Sequence, residues 1–393
     1  MESIKDKVAI VGMGTSKFGE IWDKGAEDLI VDAATEAFED AGIGPKDIQA
    51  AWFGTFETGL TGQILSSALQ LQYIPITRVE NACATGVEAI RNAAFGLIAK
   101  AYDLVLVLGV EKMKDVGFGG LLSAPGAFHP VYGVQAVAAG RYAMAATRYF
   151  EKYGFTREEG KRIIGQISVK SHYNGARNPK AHLRKEVTLD KVINAPLIAW
   201  PLGLYDCCGV TDGAAAAILC RTEDAKNFRD DYVTIKGIGL SVGPGWGKER
   251  SDFDYTYWPE TEHAAKMAYA DAGIKNPRKE LDLAEVHDCF SIAELIAIES
   301  LGLCEKGKAK FDIEDGCFTL QGDMPINPSG GLKSFGHPIG ASGCREVSEV
   351  YKQIQGKAEY PERQIKNAKM GLIHNQGGHP GRFMAGVCII GAP

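Results

Sequence analysis

Residues Val8–Gly12 read VAIVG, a short unbroken apolar run of the kind a strand covered on both faces requires. The pattern then changes period. From Glu27 to Ala41 apolar positions recur at helical spacing, and Gly42 stops them, which predicts a helix with a glycine just past its end. The segment IQAAWFG, Ile48–Gly54, predicts the next strand. The same order returns late in the chain. VDAATEAFEDAGI, Val31–Ile43, matches EHAAKMAYADAGI, Glu262–Ile274, without a gap. Both copies carry alanines in register, at 33, 34, 37 and 41 and at 264, 265, 268 and 272. That spacing lines one helix face with small side chains and predicts close packing.

The repeat extends further. VLVLGVE, Val105–Glu111, is a near-continuous apolar strand, and AGVCIIGA, Ala385–Ala392, resembles it. Two strand-to-helix entries, NACATGVEAI and GHPIGASGCREVSEV, align ATG, Ala84–Gly86, with ASG, Ala341–Gly343. The pattern predicts two similar α/β halves, residues 1–225 and 226–393. Residues 113–200, richer in glycine, polar side chains and short helical stretches, read as an insertion laid over the first half. Two such halves meet at a junction where ligands tend to sit, beyond the carboxyl ends of the strands.

Composition narrows the classes. The chain has 393 residues, of which 45% are hydrophobic and 23% charged, with a formal net charge of −6. That balance disfavours a nucleic-acid partner, which asks for a basic face. The start, MESIKDKVAIVG, lacks the pattern of a secretory signal, and no apolar run is long enough to span a membrane. A cytoplasmic protein is expected. Nine cysteines are irregularly spaced and form no paired zinc motif, so reduced thiols and no bound metal are expected.

Four segments carry candidate chemistry. Cys83 stands among Ala82, Ala84 and Gly86 at the head of a predicted helix, whose dipole would favour the thiolate. Its other reading is a small core residue. His337, in the glycine-rich SFGHPIGASG, would accept the proton of that thiol, or else cap a loop. EVHDCF sets His287 and Cys289 two positions apart, on one side of an extended segment, with Asp288 and Ser291 as candidate helix-start groups. HNQGGHPGRF, His374–Phe383, suits an oxyanion cradle better than a metal site, since His374, His379 and His337 have no familiar ligand spacing.

Taken together, NACATG, HDCF, NPSGG with Asn327, GHPIGASG and HNQGG resemble the thiolase superfamily across essentially the full chain. The HDCF form is most similar to thiolases of the sterol-carrier-protein type and to compact archaeal or bacterial relatives. The resemblance implies a five-layered α-β-α-β-α fold of two duplicated halves with an inserted loop region. It implies that Cys83 is the acylated nucleophile, His337 its activator, and His287 a donor to the enolate oxygen. Cys289 would be the acid/base cysteine, replacing one that many thiolases carry where Asn375 stands. Gly377 and the Cys83 amide would form a second oxyanion hole.

The resemblance also implies coenzyme A as substrate and product, with no prosthetic group. Lys170, Arg177, Lys180 and Arg184 are candidates for its phosphates, and Phe118, Phe128, Tyr132 and Trp200 for the acyl chain. It implies a homodimeric core and leaves room for a small zinc-containing, OB-like partner subunit. The expected reaction is reversible Claisen chemistry on a 3-ketoacyl-CoA. The alternatives are the catalytic subunit of a two-component enzyme for a bulky substrate such as benzoylsuccinyl-CoA, and a non-catalytic scaffold of the same fold.

Overall fold

The computed structural model describes residues 3–115, 137–247 and 250–393. Its first half contributes strands β1 (Val8–Thr15), β2 (Ala50–Gly54), β3 (Ile76–Val79), β4 (Leu104–Glu111) and β5 (Gly213–Arg221), with helices α1 (Ala26–Ala41) and α2 (Thr85–Ile98). Between β4 and β5 lie helices α3 (Ala138–Lys152) and α4 (Arg157–Ala176). The second half contributes β6 (Val233–Val242), α5 (Pro259–Ala272), β7 (Leu283–Val286), α6 (Ser291–Ser300), α7 (Ser342–Ile354), β8 (Met370–His379) and β9 (Arg382–Gly391).

Among the described residues these nine strands run in the order β3-β2-β4-β5-β1-β6-β9-β8-β7. Two half-sheets meet edge to edge, and β1 touches β6 through only two residue pairs, Ala9 with Thr234 and Ile10 with Val233. In each half the same relations recur. β2 is parallel to β4, which is antiparallel to β5; β7 is parallel to β8, which is antiparallel to β9. An isolated bridge from Ala284 to Ile326 stands where β3 stands in the first half.

One sequence expectation is corrected by this topology. Val105–Glu111 corresponds to β8, not to the Ala385–Ala392 strand, because β4 and β8 each combine one parallel with one antiparallel neighbour. Strands covered on both faces are all apolar, so composition could not tell β8 from β9. β8 and β9 are joined by a tight turn at Pro380–Gly381, whereas the matching strands of the first half are separated by everything from 112 to 212.

Side-chain alternation assigns the layers. On β1, Val8, Ile10 and Met13 face an inner cluster, and Ala9 and Val11 face an outer one packed under α1. The inner cluster joins Val87, Ile90, Ala94 and Leu97 of α2 to Val347 and Val350 of α7, with strand residues of both halves around them. Helices α2 and α7 therefore form the middle layer, and α1 and α5 lie on the outer faces. The repeated glycines explain the close central crossing: a Cβ on Gly86 would stand 2.7 Å from the Gly343 Cα. The alanine stripes do the same outside. A Cβ on Gly12 of β1 would stand 2.5 Å from the Ala37 carbonyl oxygen, and Gly237 of β6 lies against Ala268 in the same manner. Gly42 and Gly273 end their helices at φ of 69° and 79°, the left-handed conformation expected of such stops. Among the described residues no helix is long and apolar enough to cross a membrane.

Candidate active site

The segments with Cys83, His287 and His337 follow carboxyl ends of strands or precede the two middle helices, and Gly377 lies within β8. Cys83 sits in a tight turn between β3 and α2. Ala82 adopts φ of 48°, the Ala84 amide donates to the Asn81 carbonyl at 3.0 Å, and the Asn81 amide donates to Thr85 Oγ1 at 2.9 Å. His287 follows β7 directly, and His337 lies in the loop before α7. The fold brings the Cys83 sulfur and one ring nitrogen of each histidine within 4.8 Å of one another. The two imidazoles stand edge to face at 87°, with centroids 5.1 Å apart.

Hydrogen bonding gives the two rings opposite roles. Ser342 Oγ donates to the Pro338 carbonyl at 2.8 Å, so its lone pair is left to accept from His337 Nδ1 at 2.7 Å. The proton of neutral His337 is thereby placed on Nδ1, and its Nε2 is buried, bare and without a partner. His287 is the reverse. Its Nδ1 accepts the Gln376 amide at 3.3 Å, so its Nε2 carries the proton. One histidine is set to take a proton and the other to donate a hydrogen bond.

Burial sets the charge state. Burial and then the Arg345 charge push His337 down to about 3. Burial, then His337 and His374, hold His287 well below its ordinary range. The Cys83 thiol is pushed up to about 12, by burial first and then by the Glu111 carboxylate. Lost hydration thus opposes the thiolate that the head of α2 is expected to favour. The site rests as neutral thiol and neutral imidazole.

Cys289 is 2% exposed and also pushed well above its ordinary range, by burial first and then by Cys208 and Cys83. The Cys208 amide donates to its carbonyl at 2.9 Å. Gly377, on β8, backs onto the turn that carries Cys83: a Cβ there would stand 2.9 Å from the Cys83 nitrogen and 2.5 Å from the Asn81 oxygen. Asn375 is buried with both side-chain polar atoms unpartnered. Asn327 is structural. Its Oδ1 accepts from the Val286 amide at 2.7 Å and its Nδ2 donates to Glu294 at 2.8 Å.

Other expectations are redistributed. Neither Asp288 nor Ser291 caps α6. Asp288 accepts from the Leu332 amide and from Ser171, and Ser291 Oγ donates to Asp206 at 2.8 Å. Lys170 pairs with Glu294, Arg177 with Glu186, and Lys180 with Glu36; Arg184 is exposed. Trp200 is partly exposed with the Arg157 guanidinium over its ring, while Phe118, Phe128 and Tyr132 lie outside the described residues. A cleft of about 360 Å³ lies beside α4, lined by Lys170, Tyr173, Asn174, Glu294 and Phe318, and includes none of the reactive groups.

Sequence reasoning missed Glu111. Its carboxylate accepts from the Phe56, Glu57 and Thr58 amides and, at 3.0 Å, from the Gly340 amide of the His337 loop. The available signal was an acid ending an otherwise apolar strand. Ser342 and Gln376, which set the two tautomers, had no such signal.

Comparison with known proteins identifies the family. Residues 8–223 match the thiolase N-terminal domain family, and residues 248–389 match the thiolase C-terminal domain-like family. An acetyl-CoA acetyltransferase of Methanothermobacter thermautotrophicus is 38% identical over 95% of this chain and 97% of its own. The benzoylsuccinyl-CoA thiolase subunit BbsB of Thauera aromatica is 33% identical over 95% of this chain and 96% of its own. The solved Ltp2-ChsH2(DUF35) aldolase superposes with a TM-score of 0.85 at 24% identity, covering 99% of this chain and 98% of that one, a likeness of fold. The chain belongs to the thiolase superfamily.

Proposed function

We propose that the protein is a CoA-dependent thiolase that makes or cleaves a 3-ketoacyl-CoA through an acyl-Cys83 intermediate. The observation that carries this reading is the meeting of Cys83 with two histidines held in opposite tautomers. Relatives named acetyl-CoA acetyltransferases support CoA-linked acyl transfer. In the synthetic direction His337 Nε2 takes the Cys83 proton as the sulfur attacks a thioester carbon. Cys289 protonates the departing CoA sulfur and is left as a thiolate. That thiolate removes an α-proton from a second acyl-CoA. The enolate oxygen receives the His287 Nε2–H, and the enolate carbon attacks acyl-Cys83. The Cys83 sulfur departs and recovers its proton from His337. The oxyanion formed at the acyl carbon faces the backbone amides at Cys83 and Gly377. A preorganised donor of this kind is worth about 2.7–4 kcal/mol in the transition state.

The three donor atoms around Cys83 would also fit one soft cation, but a bare imidazole beside a neutral thiol is the arrangement general-base activation requires. The test is CoA-dependent cleavage of a panel of 3-ketoacyl-CoAs, with product masses reporting the bond cut. Cys83→Ala should abolish both acyl labelling and cleavage. Cys289→Ala should keep some labelling and lose enolate chemistry. Full cleavage by Cys83→Ala would reject the reading.

A two-component enzyme is the second reading, favoured because a relative of full-length similarity is named as a subunit. Co-purification of a small zinc-containing partner, with turnover dependent on it, would establish that form. Within the proposal, Arg184 is the candidate phosphate contact that is exposed and, among the described residues, not paired to a carboxylate, and a homodimer would cover the sheet edge that β3 leaves open.

A further inference from the structure

The outer helix α5 reaches toward the site through one side chain. Thr261, in its first turn, is fully buried. Its Oγ1 donates to Gln376 Oε1 at 2.7 Å and lies 3.0 Å from His374 Nε2. A hydroxyl carries one hydrogen, and here it goes to the amide oxygen, so His374 Nε2–H donates to Thr261. Burial pushes His374 down to about 3, which keeps its ring neutral. His374 and Gln376 stand two positions apart on β8 and project to the same side. Among the described residues, the other polar atoms of these side chains, His374 Nδ1 and Gln376 Nε2, are buried without a partner. The Thr261 hydroxyl is therefore the one group that ties both. Both residues also face His287. The Gln376 amide donates to His287 Nδ1 at 3.3 Å, and the His374 ring stands edge to face with the His287 ring at 79°, centroids 6.5 Å apart. These contacts lie where the strand ladder has run out. β7 pairs with β8 from Gly371 to His374, so the Gln376 amide, two residues further on, meets His287 instead of a neighbouring strand.

We propose that Thr261 is a positioning residue for the enolate-forming step: its hydroxyl braces His374 and Gln376 together and through them holds His287 with its Nε2–H turned to the enolate oxygen. The proposal rests on the thiolase reading above. In the step, the α-carbon–hydrogen bond breaks, its proton passes to the Cys289 sulfur, and its electron pair becomes the enolate whose oxygen accepts from His287. Thr261 acts only through its two partners and keeps its own proton throughout. Without the hydroxyl, two buried side chains have no hydrogen bond where they stand, and each must turn to find one. The ring and the amide that face His287 move with them.

The test is Thr261→Val, which keeps the shape of the side chain and removes the hydroxyl, beside Thr261→Ser, which restores it. Two half-reactions are read separately: acetyl labelling of Cys83 by acetyl-CoA, and exchange of acetyl-CoA α-protons with deuterated water. In Thr261→Val, labelling should stay within about threefold of the parent. Exchange should fall about 10- to 100-fold, short of the roughly 1,000-fold that outright removal of an oxyanion donor can cost. KM for acetyl-CoA should change little while kcat falls, and Thr261→Ser should recover exchange to within about threefold of the parent. As a second readout, nitrogen NMR of ring-labelled histidine, with the His287 signal assigned by its loss in His287→Asn, should show a bare Nδ1 in the parent and a protonated share of Nδ1 in Thr261→Val. Gln376→Leu keeps the backbone amide and removes the group that Thr261 grips; it should give the same split, and it carries the test where Thr261→Val does not fold. Unchanged exchange or an unmoved His287 signal overturns the proposal. An equal loss of labelling and exchange also overturns it, by showing a packing role. A parent enzyme that neither labels nor exchanges rejects the thiolase reading itself, and this role with it. A parent active in both, beside an indistinguishable Thr261→Val, rejects Thr261 alone.

Discussion

Cys83 is partly exposed, yet lost hydration and the Glu111 carboxylate hold its thiol up, so in the proposed mechanism its reactivity is generated by His337. Alkylation reports this directly. With the thiol pushed up to about 12, the thiolate fraction rises about tenfold per pH unit through the whole accessible alkaline range. The free enzyme's Cys83 should therefore react about 100-fold faster with iodoacetamide at pH 9 than at pH 7. A thiol at the ordinary value of 9.0 would already be levelling off there. A plateau below pH 8 would show that the head of α2 outweighs burial after all. Gly377 offers a second test. A methyl group there meets the Asn81 carbonyl and the Cys83 amide, so Gly377→Ala should lower kcat about 100-fold or more. Parental kcat in that variant would remove this strand from the oxyanion hole. At this scale the sequence pointed to Cys83, His287, His337 and Cys289 as candidates, because they stand in distinctive segments, and the structure groups the first three. The sequence could not show the tautomers, since those depend on Ser342 and the Gln376 amide, or the direction of the thiol shift, since burial is a property of the assembled layers.

At the level of elements, the site depends on how loops of one half are tied to strands of the other. Glu111 closes β4; one carboxylate oxygen accepts from the Gly340 amide, three residues after His337, and from the Phe56 amide, while the other accepts from the Glu57 and Thr58 amides. Glu111→Gln replaces acceptors for several amides with a group that must turn one donor toward them. It should lower stability by about 1–3 kcal/mol and, by loosening the His337 loop, slow Cys83 acylation. Denaturant unfolding and acetyl labelling measure the two effects; a loss of neither would remove this tether from the account. The alanine stripes and paired glycines were legible because close helix approach leaves small residues at fixed spacing. The match of β4 to β8 was not. Both candidate strands are buried runs of apolar residues, and only hydrogen-bond direction separates them.

Across the whole molecule, duplication was readable from the repeated helix and the ATG and ASG entries, and the middle layer explains why both were kept: α2 and α7 pack on each other and on both half-sheets. Recognition of the CoA phosphates was less legible, because a basic residue in a sequence does not reveal which carboxylate it already serves, as Lys170, Arg177 and Lys180 show. The narrow join between β1 and β6 has a further consequence. Cys83 belongs to one half and both imidazoles to the other, while among the described residues the two strands meet at only two residue pairs. A polypeptide severed near Asp230, in the connection before β6, should yield two pieces that are each inert and that regain turnover when mixed. Fragment complementation of this kind would make the protein a reporter of its own reassembly, with acyl labelling of Cys83 as the signal.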